Sequence, residues 1–143
     1  MLLGIHPLLR GDVLLAVDRL GHGDTMLVAD ANFPAHRISA TVIDIPGVDA
    51  PTVLEALLTV FPLDSYGEAP ITLMSSAGDQ VAGPDAADPM IDAFGKVCDG
   101  AAMVQLDRET YYKAAGAVEF IIRTGELRPY ANVMLRKGVV NNA

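Results

Sequence analysis

The chain has 143 residues, of which 51% are hydrophobic and 20% charged, with a net charge of −8 and a pI near 4.6. That length fits one domain over residues 1–143 that buries its own core without disulfides or metal. The acidic balance, with no basic clusters, excludes nucleic acid and anionic membrane as natural partners. Cys98 is the only cysteine, so an intrachain disulfide and a thiolate zinc site are both ruled out. The first ten residues lack a cationic n-region and break at His6-Pro7, unlike a signal peptide. No uncharged stretch approaches 18 apolar residues, and a cytoplasmic protein is expected. The apolar excess exceeds what one such domain hides, which points to an obligate homo-oligomer, a dense monomeric core being the alternative.

In chain order, Asp12 is placed to cap a helix whose apolar positions are Val13, Leu14, Ala16, Val17 and Leu20, with Gly21 as its stop. A strand is expected over residues 24–29, then a loop over 30–36 punctuated by Asn32 and Pro34. A short strand over 40–45 follows. Pro51 suits the first turn of a helix running to about Phe61, which Pro62 ends. Residues 71–74 read as a strand, 78–84 as a turn-rich segment, 85–97 as a helix and 101–106 as a strand. Asp107 can cap a helix over 108–115, and strands over 118–123 and 132–135 close the chain. Helices alternating with short apolar strands predict a single α/β domain, with helices packed on a mostly parallel β-sheet.

The densest chemistry lies in Gly21-His22-Gly23-Asp24 and Asp30-Ala31-Asn32-Phe33-Pro34-Ala35-His36, at the two ends of one core strand. Polar, titratable residues beside a buried strand are costly unless they serve a cleft. His22, flanked by glycines, suits proton transfer near neutrality, since an imidazole titrates near 6.5; the same tetrapeptide also reads as a helix C-cap turn. Asp30 at a strand exit suits a polyhydroxylated ligand, or an Asx turn onto Asn32. His22, Asp24, Asp30 and His36 are of the right type for zinc or manganese, but their spacing matches no strong metal motif, and no metal is expected. Arg108 in the first turn of a helix opposes the helix dipole, which hints at another use beside surface pairing. Tyr130-Ala131-Asn132 offers donors and acceptors for hydroxyl groups, and Arg136 and Lys137 read as a solvated tail. No Walker A, Gly-x-Gly-x-x-Gly or Gly-x-Ser-x-Gly pattern is present. Both ends of one strand cannot line one rim of one subunit. Either the strand is very short or a second subunit completes the site.

These pieces, with Leu63-Asp64-Ser65-Tyr66, Thr124-Gly125-Glu126 and Leu135-Arg136-Lys137-Gly138-Val139, run in order from end to end of the chain. Together they resemble the L-fucose mutarotase and D-ribose pyranase family, and more closely its fucose mutarotase branch. The resemblance implies a cofactor-free isomerase that interconverts sugar anomers, in some members pyranose and furanose forms too. It also implies ring-like homo-oligomers, often decamers, with the sugar near a subunit contact. His22 falls at the family's catalytic histidine, Asp30 at a sugar-binding aspartate, and Tyr130 and Asn132 at C-terminal sugar contacts. Arg108 matches the arginine of the fucose branch, and Tyr112 stands where ribose-type members carry lysine. Asp24 is a possible orienter of His22 or a turn cap, and His36 a supporting or interface residue. A non-catalytic monosaccharide-binding or sensing protein is the rival reading.

Overall fold

A computed structural model describes residues 1–77 and 88–141, so the expected turns over 78–84 and the first residues of the 85–97 helix lie outside the described residues. In chain order the elements are α1 (Gly11–Asp18), β1 (Thr25–Ala29), α2 (Ala35–Ile38), β2 (Val42–Ile45), α3 (Ala50–Leu58), β3 (Ile71–Met74), α4 (Asp88–Cys98), β4 (Met103–Leu106), α5 (Arg108–Ala115), β5 (Ile121–Thr124) and β6 (Val133–Arg136). The strands form one sheet in the order β2-β5-β1-β6-β3-β4. β6 runs antiparallel to both of its neighbours, and every other pairing is parallel. The expected α/β fold on a mostly parallel sheet is the one observed.

Strand side chains alternate between faces, and the two cores show it. Met26 and Val28 of β1 join one core with Val13 and Val17 of α1, Leu54 and Leu57 of α3, and Phe94 of α4. Leu27 and Ala29 face the other, with Ala35 of α2 and Tyr111 and Ala115 of α5. A strand covered on both sides has no polar face to alternate with, so β1 reads as one continuous apolar run.

Because β6 alone is reversed, the carboxyl ends of five strands and the start of β6 share one edge of the sheet. Asp30, Arg108 and the 125–132 segment gather there. The Gly21–Asp24 turn sits at the opposite edge.

Some local expectations are corrected. The N-cap of α1 is Arg10, not Asp12. Asp12 lies in the first turn, where it pairs with Arg10 at 3.1 Å and accepts from the Val13 N–H; a carboxylate there still favours the helix dipole. The 30–36 loop runs into a one-turn helix, α2, opened by Pro34. Lys137 is no solvated tail: its ammonium donates to the Val17 and Leu20 carbonyls at 2.8 and 2.7 Å, closing the end of α1. Its backbone holds the Gly21–Asp24 turn, accepting from the Gly23 N–H and donating to the Asp24 carbonyl. Gly23 has φ +87, a left-handed conformation that glycine adopts without a Cβ penalty. Asp107 caps α5 as expected, accepting from the Thr110 N–H at 2.9 Å.

Candidate active site

Asp30 and Asn132 end and begin adjacent strands, β1 and β6, and lock together. The Asp30 N–H donates to Asn132 Oδ1 at 2.9 Å, and Asn132 Nδ2 donates to Asp30 Oδ2 at 3.0 Å. The Asn32 N–H donates to Asp30 Oδ1 at 2.9 Å, so the expected Asx turn is present. Burial raises the Asp30 pKa above the ordinary carboxylate value and the Glu126 charge adds to this, while the hydrogen bonds from Asn132, Asn32 and Phe33 oppose it. A half-committed, buried carboxylate facing a cavity is suited to accept hydrogen bonds from hydroxyl groups.

That cavity, of about 380 Å³, is lined by Asp30 and Asn132 together with Arg108, Tyr112, Arg128 and Tyr130. Its volume lies in the range of small-molecule sites. One wall is a stack. Phe33 and Tyr112 lie nearly parallel with centroids 5.4 Å apart, and the Arg108 guanidinium sits 5.5 Å from the Tyr112 ring centroid. Arg108 at the start of α5 is thereby used on the cavity side, without a carboxylate partner among the described residues. A second, more open cavity of about 580 Å³ adjoins it across Asn32, Arg108 and Tyr112.

The opposite wall is built by the segment after β5. Gly125 passes so close to Gly47 that an added Cβ would fall 2.5 Å from the Gly47 nitrogen, which explains glycine there. Glu126, 4% exposed, accepts from the Arg128 Nε and Nη2 at 2.9 and 2.8 Å, and from the Arg128 and Ala50 N–H groups. These bonds hold its carboxyl at about 2 although burial pushes the other way. Thr124 Oγ1 donates to the Ala29 carbonyl, tying the segment to the end of β1. Tyr130 has φ +60, a conformation rare for a residue with a Cβ. Such strain persists where the surroundings enforce it, often at sites.

The expected residues therefore divide. Asp30, Arg108, Tyr112, Tyr130 and Asn132 surround one cavity. His22 lies at the far edge of the sheet, with β1 spanning about 17 Å between them. Its Nε2 is 3.1 Å from Asp64 Oδ1 and its ring meets Tyr66 edge-on at 5.8 Å. The Asp64 carboxylate is buried and held below its ordinary pKa, first by the Tyr66 N–H and then by His22, against the effect of burial. An ionised carboxylate only accepts, so Nε2 carries the proton of that bond, and Nδ1 has no hydrogen bond among the described residues. Asp24 does not orient His22. It caps the turn, accepting from the Gly21 N–H at 2.7 Å. His36 pairs with Asp44 at 3.0 Å, beside the Arg123–Asp44 ion pair at 2.7 Å.

Residue type and spacing alone assign no role to Asp64, Glu126 or Arg128. The first two lie within motifs that carried the resemblance. Arg128 had no signal beyond its nearness to Tyr130. The candidate metal set is dispersed among these separate partners, and among the described residues no three His, Cys, Asp or Glu groups gather to hold an ion.

A profile of the RbsD / FucU transport protein family matches residues 3–140. The L-fucose mutarotase of Actinobacillus pleuropneumoniae serotype 5b (strain L20) is 34% identical over 140 residues, 97% of each chain. The crystal structure of the fucose mutarotase of Streptococcus pneumoniae in complex with L-fucose superposes with a TM-score of 0.86 at 32% identity, covering 98% of this chain and 100% of that one. RbsD of Bacillus subtilis, solved with D-ribose, shares the fold at a TM-score of 0.76 and 19% identity, covering 95% of this chain and 98% of its own.

Proposed function

The chain belongs to the RbsD / FucU transport protein family, and from that membership and the geometry of its cavity we propose that it is a monosaccharide mutarotase acting on L-fucose or a related sugar. The observation that carries the reading is the Asp30–Asn132 cavity, with Arg108, Tyr112 and Tyr130 around it, in a chain similar along its whole length to L-fucose mutarotases. A sugar presents hydroxyls that both donate and accept, and the cavity offers both. Asp30 accepts, whereas Arg108, the Tyr130 phenol and the unused Asn132 N–H donate.

Ring opening moves a proton off the anomeric hydroxyl and delivers one to the ring oxygen. The aldehyde then rotates and closes on its other face. The two transfers cancel, so the chemistry needs no cofactor, only positioned acid–base groups, which contribute about 10²–10⁴-fold. In this reading His22 acts as the imidazolium, oriented by Asp64 through Nε2–H. Its Nδ1–H passes to the ring oxygen while the anomeric hydroxyl's proton leaves to water, and reclosure returns both. Since its own cavity is a strand's length away, the donor to each cavity is the His22 of a second copy. The exposed apolar side chains of Leu3, Leu127 and Val140 support self-association, because their surface is removed from water in an oligomer. A ring-like oligomer such as a decamer, working in the cytoplasm as one mutarotase domain over residues 1–143, fits the reading. Pyranose–furanose exchange is accessible to the same opened aldehyde.

Saturation-transfer NMR between the α and β anomeric protons of equilibrated L-fucose tests this. Exchange faster than in buffer is expected. No acceleration with L-fucose or related monosaccharides would leave a binding or sensing protein as the better account.

A further inference from the structure

Of the charged residues around the cavity, Arg128 is the one that neither the motifs nor the proton chemistry accounts for. Its guanidinium is held side-on by a buried carboxylate, Nε and Nη2 bonding the two oxygens of Glu126 at 2.9 and 2.8 Å. That two-point grip fixes the plane of the group. It also turns Nη1 away from Glu126, and Nη1 has no hydrogen bond within the described residues. The pair is electrically balanced, so Arg128 offers the cavity it lines the unbonded N–H donors of Nη1 rather than a free charge.

Arg128 adds to the donors that Arg108, Tyr130 and Asn132 already bring to the cavity they line together. Asp30 and Asn132 spend most of their bonds on each other and on the Asn32 N–H, and what Asp30 has left is acceptor capacity. A sugar hydroxyl that gives its proton to a carboxylate still has lone pairs to place. We propose that Arg128 is a specificity-determining residue of the site, its Nη1 donating to one non-anomeric hydroxyl oxygen of the monosaccharide. The proposal rests on the mutarotase reading. It adds that sugars lacking that hydroxyl bind more weakly, because they forgo the bond to Arg128.

The test compares wild type, Arg128→Lys and Arg128→Ala in anomeric exchange of L-fucose and of its 2-, 3- and 4-deoxy analogues, with thermal melts of each protein. Arg128→Lys keeps a cation beside Glu126 but lacks the planar fork, so it is the variant that separates recognition from folding. With L-fucose its KM should rise roughly tenfold, the worth of one charged hydrogen bond, at a kcat within about threefold of wild type. One deoxy sugar should bind wild type and Arg128→Lys equally, because the hydroxyl in question is already gone. A KM within twofold of wild type in both variants, or an equal loss on every sugar, overturns the proposal. A wild type that exchanges none of the sugars would instead remove the mutarotase reading beneath it.

Discussion

The imidazole of His22 and the phenol of Tyr130 illustrate two ways in which a side chain is made available for chemistry. His22 is about half exposed, with one nitrogen tied to buried Asp64 at 3.1 Å, so its free nitrogen has a defined direction. His22→Ala should lower anomeric exchange by about 10²–10⁴-fold. Asp64→Asn should cost less, lowering kcat with little change in KM, since it loosens the ring without removing it; both are read by NMR exchange at several sugar concentrations. Tyr130 is positioned by its own strained backbone at φ +60. Tyr130→Gly should be the more stable of two truncations, melting above Tyr130→Ala by the equivalent of about 1 kcal/mol, while both raise KM. If alanine is the more stable, the left-handed backbone carries no strain. His22, Asp30, Arg108, Tyr130 and Asn132 could all be singled out from residue type and motif. The partner of His22 could not, because Asp64 is 42 positions away and only the pairing of Leu63 with Lys137 brings it under the turn.

Among the elements, the 125–132 segment does most to shape the cavity. It is locked to the start of α3 through the bond from the Ala50 N–H to Glu126, and to β1 through Thr124. Gly125→Ala places a methyl group against the Gly47 backbone and should destabilise by about 1–3 kcal/mol, with a loss of sugar affinity as the wall shifts. Glu126 makes the segment pH-sensitive in a definite direction. Its folded pKa of about 2 lies below its ordinary 4.5, so its contribution is complete above pH 4.5 and is lost as pH falls toward 2. Asp30, with a raised pKa, works in the opposite sense, which is why the comparison needs a variant. Wild type should melt above Glu126→Gln at neutral pH by about 1–3 kcal/mol, and the gap should close on acidification. A gap independent of pH would contradict it. β1, β3, β5 and β6 were legible because their apolar runs are dictated by burial on both faces. α2 was not, being a single turn opened by Pro34, and the capping preference of Asp12 yielded to a start at Arg10. Nor could local pattern show that β6 inserts in reverse between β1 and β3, since strand order is set by contacts distant in sequence.

For the molecule as a whole, that reversed strand brings Asn132 to the end of the sheet where Asp30 lies. Five strands ending on one edge gather Asp30, Arg108 and the 125–132 segment, and leave His22 with Asp64 on the other. The geometric conflict already visible in the sequence, with chemistry at both ends of one strand, is therefore real. In the proposed reading, a site shared between two copies resolves it. The most direct measurement mixes two variants, His22→Ala and Asp30→Asn, each expected to be inactive alone, unfolds and refolds them together, and follows anomeric exchange of L-fucose. If each cavity takes His22 from a second copy, about a quarter of the sites in a random mixture carry both intact residues, and exchange should return to about that fraction of wild type. A refolded mixture that stays as inactive as its parents would contradict a site shared between copies.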